Sequence, residues 1–109
     1  MVTAELAAAL PALALVMVMA IWVIGLTSVQ LRCSDAAREA ARAAARGEDM
    51  STVREIAEAV APDEAQIDIA HADGLVTIEV RATLEAPPPF GTTLSPTVSG
   101  KAIALEERP

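Results

Sequence analysis

The chain places a single carboxylate close to its amino terminus, immediately before a long apolar run. Glu5 is followed by 24 uncharged residues, residues 6–29. An ionisable side chain at the edge of such a segment is costly to bury, which makes it a functional candidate. The plain alternative is an acid in the first turn of a helix, where the helix dipole stabilises it by about 0.3–1 kcal/mol.

The spacing of Glu5 from the amino group of Met1 allows a complementary pair between neighbouring helices. If such helices stack side by side with an axial offset, the amine of one meets the Glu5 carboxylate of the next. In a dry core this pair breaks even only with good geometry, and a mismatched stack leaves a buried charge unpaired. We therefore expect Met1 and Glu5 to set the register of an assembly more than to stabilise it.

The other reactive residue types are too few and too scattered for catalysis. One His and one Cys lie far apart in the sequence, so they form no nucleophile–base set. The sequence has neither a phosphate-binding glycine loop nor a metal-ligand spacing. We predict no catalytic residues, no metal and no cofactor, and we expect the protein not to be an enzyme. Cys33 is expected to be a small buried residue, with a bridge between subunits as the alternative.

Charge is divided unevenly along the 109 residues. Residues 1–46 hold four arginines against three acids, whereas residues 47–109 hold four bases against twelve acids. A nucleic-acid partner would require a basic surface, so the acidic carboxyl-terminal part argues against one.

The apolar run is long enough to cross a membrane. As a helix, residues 6–29 would measure about 36 Å, against roughly 30 Å for the hydrocarbon layer. A secretory signal peptide would carry basic residues before the run, where this chain has Glu5 instead. The nearest basic residues follow the run, which would place the rest of the chain in the cytoplasm unless a basic leader has been removed.

The helix is predicted to continue beyond the apolar run, over residues 3–46, because helix formers follow and the next glycine is Gly47. Pro11 and Gly25 interrupt the run, either as a local bend that fits a lattice or as residues tolerated in a membrane helix. Three alanines one turn apart would allow close helix approach, although alanine is abundant throughout: Ala4, Ala8 and Ala12.

The outer half of this helix is amphipathic. Its predicted core-facing residues are Leu31, Ala36, Ala37, Ala40 and Ala44. On another face, Arg38, Arg42 and Arg46 recur every four residues. They form either a solvated face interleaved with acids, or a contact with the acidic head of an adjacent subunit, which salt would weaken.

The remaining residues predict a small α+β head. A short helix over residues 53–60, capped by Ser51 or Thr52, precedes strands at residues 66–69, 75–84 and 98–105. Asp73-Gly74 predicts a hairpin turn between the first two strands. The third strand could direct inward either Val98, Gly100, Ala102 and Ala104, or Ile103 and Leu105. The expected fold is a lollipop-shaped molecule with a three-stranded antiparallel sheet, divided into residues 1–29, 30–47 and 48–109.

Several motifs carry a resemblance to a known family. Met1-Val2-Thr3-Ala4-Glu5, followed at once by the apolar run, resembles the mature amino terminus of type IV pilins. Gln-Leu-Arg-Cys at residues 30–33, Asp-Ala-Ala-Arg-Glu-Ala-Ala-Arg at residues 35–42 and the ending Ala104-Leu105-Glu106 are similar to high-GC TadE-like pilins of the tight-adherence (Tad) system. The resemblance covers residues 1–47 well and the head only by pattern.

The resemblance implies a pilin subunit that polymerises through its amino-terminal helix into an extracellular type IV or Tad-type pilus. Met1 would be the processed, N-methylated terminus left after a basic leader is cut, and Glu5 the assembly glutamate. Implied partners are copies of the chain, the cytoplasmic membrane before assembly, the prepilin peptidase and the pilus assembly machinery. The residues alone leave two alternatives open: a monomeric bitopic membrane protein with an extracytoplasmic binding head, and a secreted head domain with an atypical uncleaved signal.

Overall fold

The computed structural model describes residues 1–91 and 93–105 of the chain. They form a long helix and a small head in which a second helix and a three-stranded antiparallel sheet pack on the end of the first helix. This is the predicted α+β fold. The predicted head boundary at residue 109 and Glu106 lie outside the described residues. The elements are α1 (Val2–Ala45), α2 (Met50–Val60), β1 (Gln66–Ala72), β2 (Leu75–Thr83) and β3 (Thr97–Leu105).

Helix α1 is one continuous helix of 44 residues that passes through Pro11 without a break. It ends where the sequence predicts. Gly47 has φ +82°, and its N–H donates to the Ala44 carbonyl, while the Glu48 N–H donates to the Ala43 carbonyl. These two bonds satisfy carbonyls at the helix end, and glycine adopts the required left-handed conformation without a steric penalty.

The sheet has the order β1-β2-β3, with both pairs antiparallel. The predicted Asp73-Gly74 turn joins β1 and β2, and both residues have positive φ, 50° and 77°. Such a turn matches the twist of the flanking strands. It allows the pairing to reach Ala72, so β1 is longer than the predicted residues 66–69.

The core lies between the outer half of α1 and one face of the sheet. The predicted alternation of β2 is confirmed, since Val76, Ile78 and Val80 are fully buried. On β3 the first of the two predicted faces turns inward, because Gly100 and Ala104 are buried whereas Ile103 is exposed. The helix contributes small residues to this core, which lets the sheet approach its backbone closely: Cys33, Ala36, Ala37, Ala40, Ala41, Ala43 and Ala44.

Three details of the head differ from the prediction. Leu31 is 59% exposed, because it precedes the buried Cys33 by two residues and a helix turns about 200° over that distance. Helix α2 begins at Met50, with Asp49 as the N-cap residue, so Ser51 and Thr52 lie inside the helix and cap nothing. Strand β2 ends at Thr83, so Leu84 lies beyond it.

Candidate assembly surface

The amino-terminal half of α1 projects from the head as an unaccompanied apolar rod. The molecule measures 78 × 20 × 20 Å, and every residue from 1 to 18 is exposed. Helix α1 is long and apolar enough to cross a membrane, and none of its most apolar window is buried inside the protein. Side chains of this kind need a lipid or protein environment, because fully burying each large one is worth about 1.5–3 kcal/mol relative to water.

Glu5 lies at the start of this rod, in the first turn of α1. Its backbone N–H donates to the Met1 carbonyl at 3.1 Å, so the two predicted register residues are one helical turn apart. Both are exposed. Within residues 1–91 and 93–105, no side chain forms an ion pair or a hydrogen bond with the Glu5 carboxylate. The carboxylate is therefore available to a group outside this protomer.

The predicted packing residues lie along the rod, and all of them are exposed except Gly25, which is half-buried. Ala4, Ala8 and Ala12 are exposed and follow one another at single-turn spacing along one side. A Cβ atom added at Gly25 would meet nothing within 4 Å, so no contact inside the protomer requires a glycine there. Pro11 is likewise exposed. Near the far end of the rod, Thr27 donates its hydroxyl to the Val23 carbonyl at 3.1 Å.

The arginine stripe on the outer half of α1 is paired locally. The shortest nitrogen–oxygen distances are 3.7 Å from Arg38 to Asp35, 2.9 Å from Arg42 to Glu39, and 2.9 Å from Arg46 to Glu48. All three pairs are well exposed to solvent, so each adds little to stability. This geometry fits a solvated face; a role against an adjacent acidic head stays a prediction.

A half-buried stripe, which was not predicted, follows one face of the rod. On the helix face that continues toward Cys33, exposure falls well before the head begins, and these residues are half-buried: Met19, Trp22, Gly25, Leu26 and Val29. The indole Nε1 of Trp22 is itself buried and has no hydrogen-bond partner. Nearer the head, Gln30 and Ser99 exchange two hydrogen bonds, of 2.6 and 3.2 Å. Helical spacing from Cys33 could have identified this stripe.

No family model matches the sequence, and no solved structure matches it. The chain is similar to a protein of Mycobacterium tuberculosis named "Apoptosis inhibitor Rv3655c". The two are 38% identical over 103 residues, which make up 94% of this chain and 77% of the relative. The chain belongs to the family of Rv3655c. Because the similarity spans 103 of the 109 residues, it includes most of α1 and most of the head.

Cys33 is the one cysteine of this member of the Rv3655c family. It is fully buried, as predicted, on the face of α1 that packs against β3. Burial raises the pKa of its thiol, and the positive charge of Arg32 opposes this shift. The thiol is therefore neutral and shielded, which suits packing better than reaction. Among residues 1–91 and 93–105, no three His, Cys, Asp or Glu side chains are grouped closely enough to hold a metal ion.

Proposed function

We propose that the chain is a structural pilin subunit that polymerises through α1 into an extracellular filament of the type IV or Tad class. One observation carries this proposal: an apolar rod that is exposed over residues 1–18 is continuous with the head and begins with a carboxylate that has no partner in the described protomer. A monomeric anchor needs the rod but has no use for the carboxylate, which is costly at a membrane edge.

Under this proposal, the apolar side chains of the rod are covered first by lipid and then by other copies of the chain. In the cytoplasmic membrane, lipid covers residues 6–29, and lipid tails give helices no hydrophobic reason to associate. After extraction from the membrane, the same side chains must be buried against copies of the chain, since exposure to water costs roughly 25 cal/mol per Å² of apolar surface. The heads then coat the outside of the filament.

Met1 and Glu5 would set the register of this stack. When the Met1 amine of one copy meets the Glu5 carboxylate of the next, the two helices are offset by about four residues, or about 6 Å along the axis. A different offset leaves one of the charges unpaired in the apolar core, where breaking a buried pair costs about 3–5 kcal/mol. Ala4, Ala8 and Ala12 would let the backbones of neighbouring helices approach closely beside this pair.

As a pilin subunit, the chain would be processed at the cytoplasmic membrane before it enters the filament. A prepilin peptidase would generate the Met1 amine and methylate it, and the pilus assembly machinery would extract the subunit from the membrane. Mass spectrometry of the intact amino terminus tests this step. A methylated Met1 supports the proposal, whereas an unmodified initiator methionine with no preceding residues in the gene contradicts it.

The register role is tested by substituting Glu5 in cells that export the chain. In the Glu5→Gln and Glu5→Ala variants we expect normal amounts of subunit in the membrane but loss of filaments from sheared surface material, because the amine then has no anionic partner. The matched control is Glu55→Gln, which removes an exposed carboxylate on α2. Wild-type filament yield from Glu5→Gln would refute the register role.

A monomeric bitopic protein with a binding head is the second candidate. The observation that favours it is an apolar group on the solvent face of the sheet, where Leu75 pairs with Leu105 and Ile103 lies beside them; the three are 36%, 70% and 60% exposed. The Rv3655c protein is named as an apoptosis inhibitor. If this candidate is right, the purified chain stays monomeric in mild detergent. The Leu105→Ser variant then loses binding of the head to its partner, whereas Glu5→Gln keeps it.

A further inference from the structure

The loop between β2 and β3 lies on the side of the head that faces the membrane. Ser99 bonds with Gln30, and Gly100 packs against the backbone of Ser34. The buried residues of α1 extend from Cys33 onward to Ala44, so the later residues of β3 pack on later turns of α1. Strand β3 therefore runs in the same direction as α1. The loop that precedes it, residues 84–96, extends back toward the apolar rod.

Two backbone hydrogen bonds carry strand-like pairing into this loop. The Leu84 N–H donates to the Pro96 carbonyl at 3.2 Å, and the Ala86 N–H donates to the Leu94 carbonyl at 2.9 Å. Three further residues of paired chain add about 10 Å beyond the end of β2. The same length of α1 is about seven residues. The loop thus reaches the level of the last turns of the rod, where Leu26 becomes half-buried.

Several polar groups of the loop are paired within it. Backbone N–H groups of Phe90, Thr93 and Leu94 donate to carbonyls of the loop. The hydroxyls of Thr93 and Ser95 donate to the carbonyls of Phe90 and Gly91. Four prolines have no N–H to satisfy: Pro87, Pro88, Pro89 and Pro96. Backbone groups that are paired in this way can approach lipid at a lower cost than unpaired groups.

In the described part of the loop, exposed apolar side chains lie beside three exposed polar residues, Glu85, Thr93 and Ser95. Phe90 is 37% exposed and Leu94 is 41% exposed, and Pro88 and Pro89 are exposed beside them. Residues 84–96 contain one charged side chain, Glu85, and no Lys or Arg. Anionic headgroups would attract a basic loop, so this composition fits contact with lipid through apolar side chains and not through charge.

We propose that the 84–96 loop is a second membrane contact, which inserts Phe90 and Leu94 into the boundary between lipid headgroups and acyl chains when α1 spans the bilayer. Residues 6–29 exceed the hydrocarbon thickness by about 6 Å, so its boundary lies within about two residues of each end of the run. The loop reaches this depth. The contact fixes the rotation and tilt of the head against the membrane and requires only membrane insertion, not filament formation.

The depth of the loop can be measured with a single tryptophan moved within the full-length chain. Trp22→Phe is combined with Phe90→Trp, and the protein is placed in phosphatidylcholine vesicles with or without brominated acyl chains. The matched control combines Trp22→Phe with Ile103→Trp, which is exposed near the opposite end of the sheet. We expect bromine to quench the tryptophan of the Phe90→Trp variant at least about three-fold more strongly than that of the control, because an indole at this boundary is near the acyl chains.

Two further measurements make the result unambiguous. The quenching of the Phe90→Trp variant should stay the same when half of the lipid is replaced by phosphatidylglycerol, since the loop has no basic residue. A second reporter, Leu94→Trp in the Trp22→Phe background, guards against a disturbance of the loop by the Phe90 substitution. Its tryptophan should be quenched as strongly as that of Phe90→Trp. Equal quenching of both loop variants and the control would overturn the proposal, as would loop quenching that appears only with anionic lipid. A loop tryptophan that is shielded only after self-association would assign the loop to a second copy instead.

Discussion

Gly100 is the position where the docking of the sheet on α1 is most sensitive to a single atom. A Cβ atom built there lies 2.4 Å from Cα and N of Ser34 and 2.5 Å from the carbonyl carbon of Cys33. Ordinary van der Waals contact begins at 3.4 Å. The atoms it meets belong to a helix backbone and cannot rotate away. The Gly100→Ala variant must therefore move β3 and α1 apart by about 1 Å.

The cost of this movement has two sources. Overpacking a closely packed site costs about 1–3 kcal/mol. Separation also weakens the two Gln30–Ser99 hydrogen bonds, each worth about 0.5–1.5 kcal/mol. We expect Gly100→Ala to lower the free energy of unfolding of the head by about 2–4 kcal/mol. With a urea dependence of about 2 kcal/mol per molar, the unfolding midpoint should fall by about 1–2 M.

Cys33 provides the assay, because it is fully buried beneath Gly100 and becomes accessible when the head opens. Pulse alkylation of the full chain in dodecyl maltoside micelles, over a series of urea concentrations, gives the midpoint directly. The control is Gly25→Ala, which adds the same methyl group where nothing lies within 4 Å. The reasoning is refuted if Gly100→Ala and the wild type become alkylated at the same urea concentration.

Two further predictions concern the same core. Ile78→Ala should lower the free energy of unfolding by about 2–5 kcal/mol, since Ile78 is fully buried, while Ile103→Ala on the exposed face should change it by about 0.5 kcal/mol or less; urea melts of both variants followed by circular dichroism test this. Because burial raises the pKa of the Cys33 thiol, the folded state holds this proton more tightly than the unfolded state. Stability is complete below the ordinary thiol pKa and falls as pH rises above it, and Cys33→Ser should reduce this alkaline loss in the same melts.

The elements of the fold that follow from local chemistry were predictable. Gly47 ends α1, Asp73-Gly74 makes the hairpin, and the alternation of β2 places Val76, Ile78 and Val80 on one face. In each case residues near in sequence decide the conformation, so no knowledge of tertiary packing is needed.

The errors and omissions come from contacts between distant residues. An alanine-rich helix has a weak hydrophobic stripe, so its head-facing side could not be located well enough to exclude Leu31. The inward face of β3 depended on Gly100, whose small size matters only because Ser34 lies against it. The same holds for the candidate site. Glu5 was identified from its position, but the half-buried stripe through Trp22 and the reach of the 84–96 loop depend on the direction of β3 along α1.

The distribution of satisfied and unsatisfied groups argues that any order between copies originates at the amino-terminal end. In the described part of the head no polar or charged residue is buried, and each arginine of the α1 stripe already has an acidic partner. The polar and charged groups of the head thus make little demand on a neighbour, and its exposed apolar side chains, among them Phe90, Leu94 and Leu105, need only apolar cover. The rod exposes a large apolar surface and, at Glu5, a carboxylate with no partner in the described protomer. Lipid can cover the apolar surface. In the filament that we propose, a second amino terminus at one axial offset would meet both needs, so a single carboxylate would specify a register that the larger apolar surface cannot.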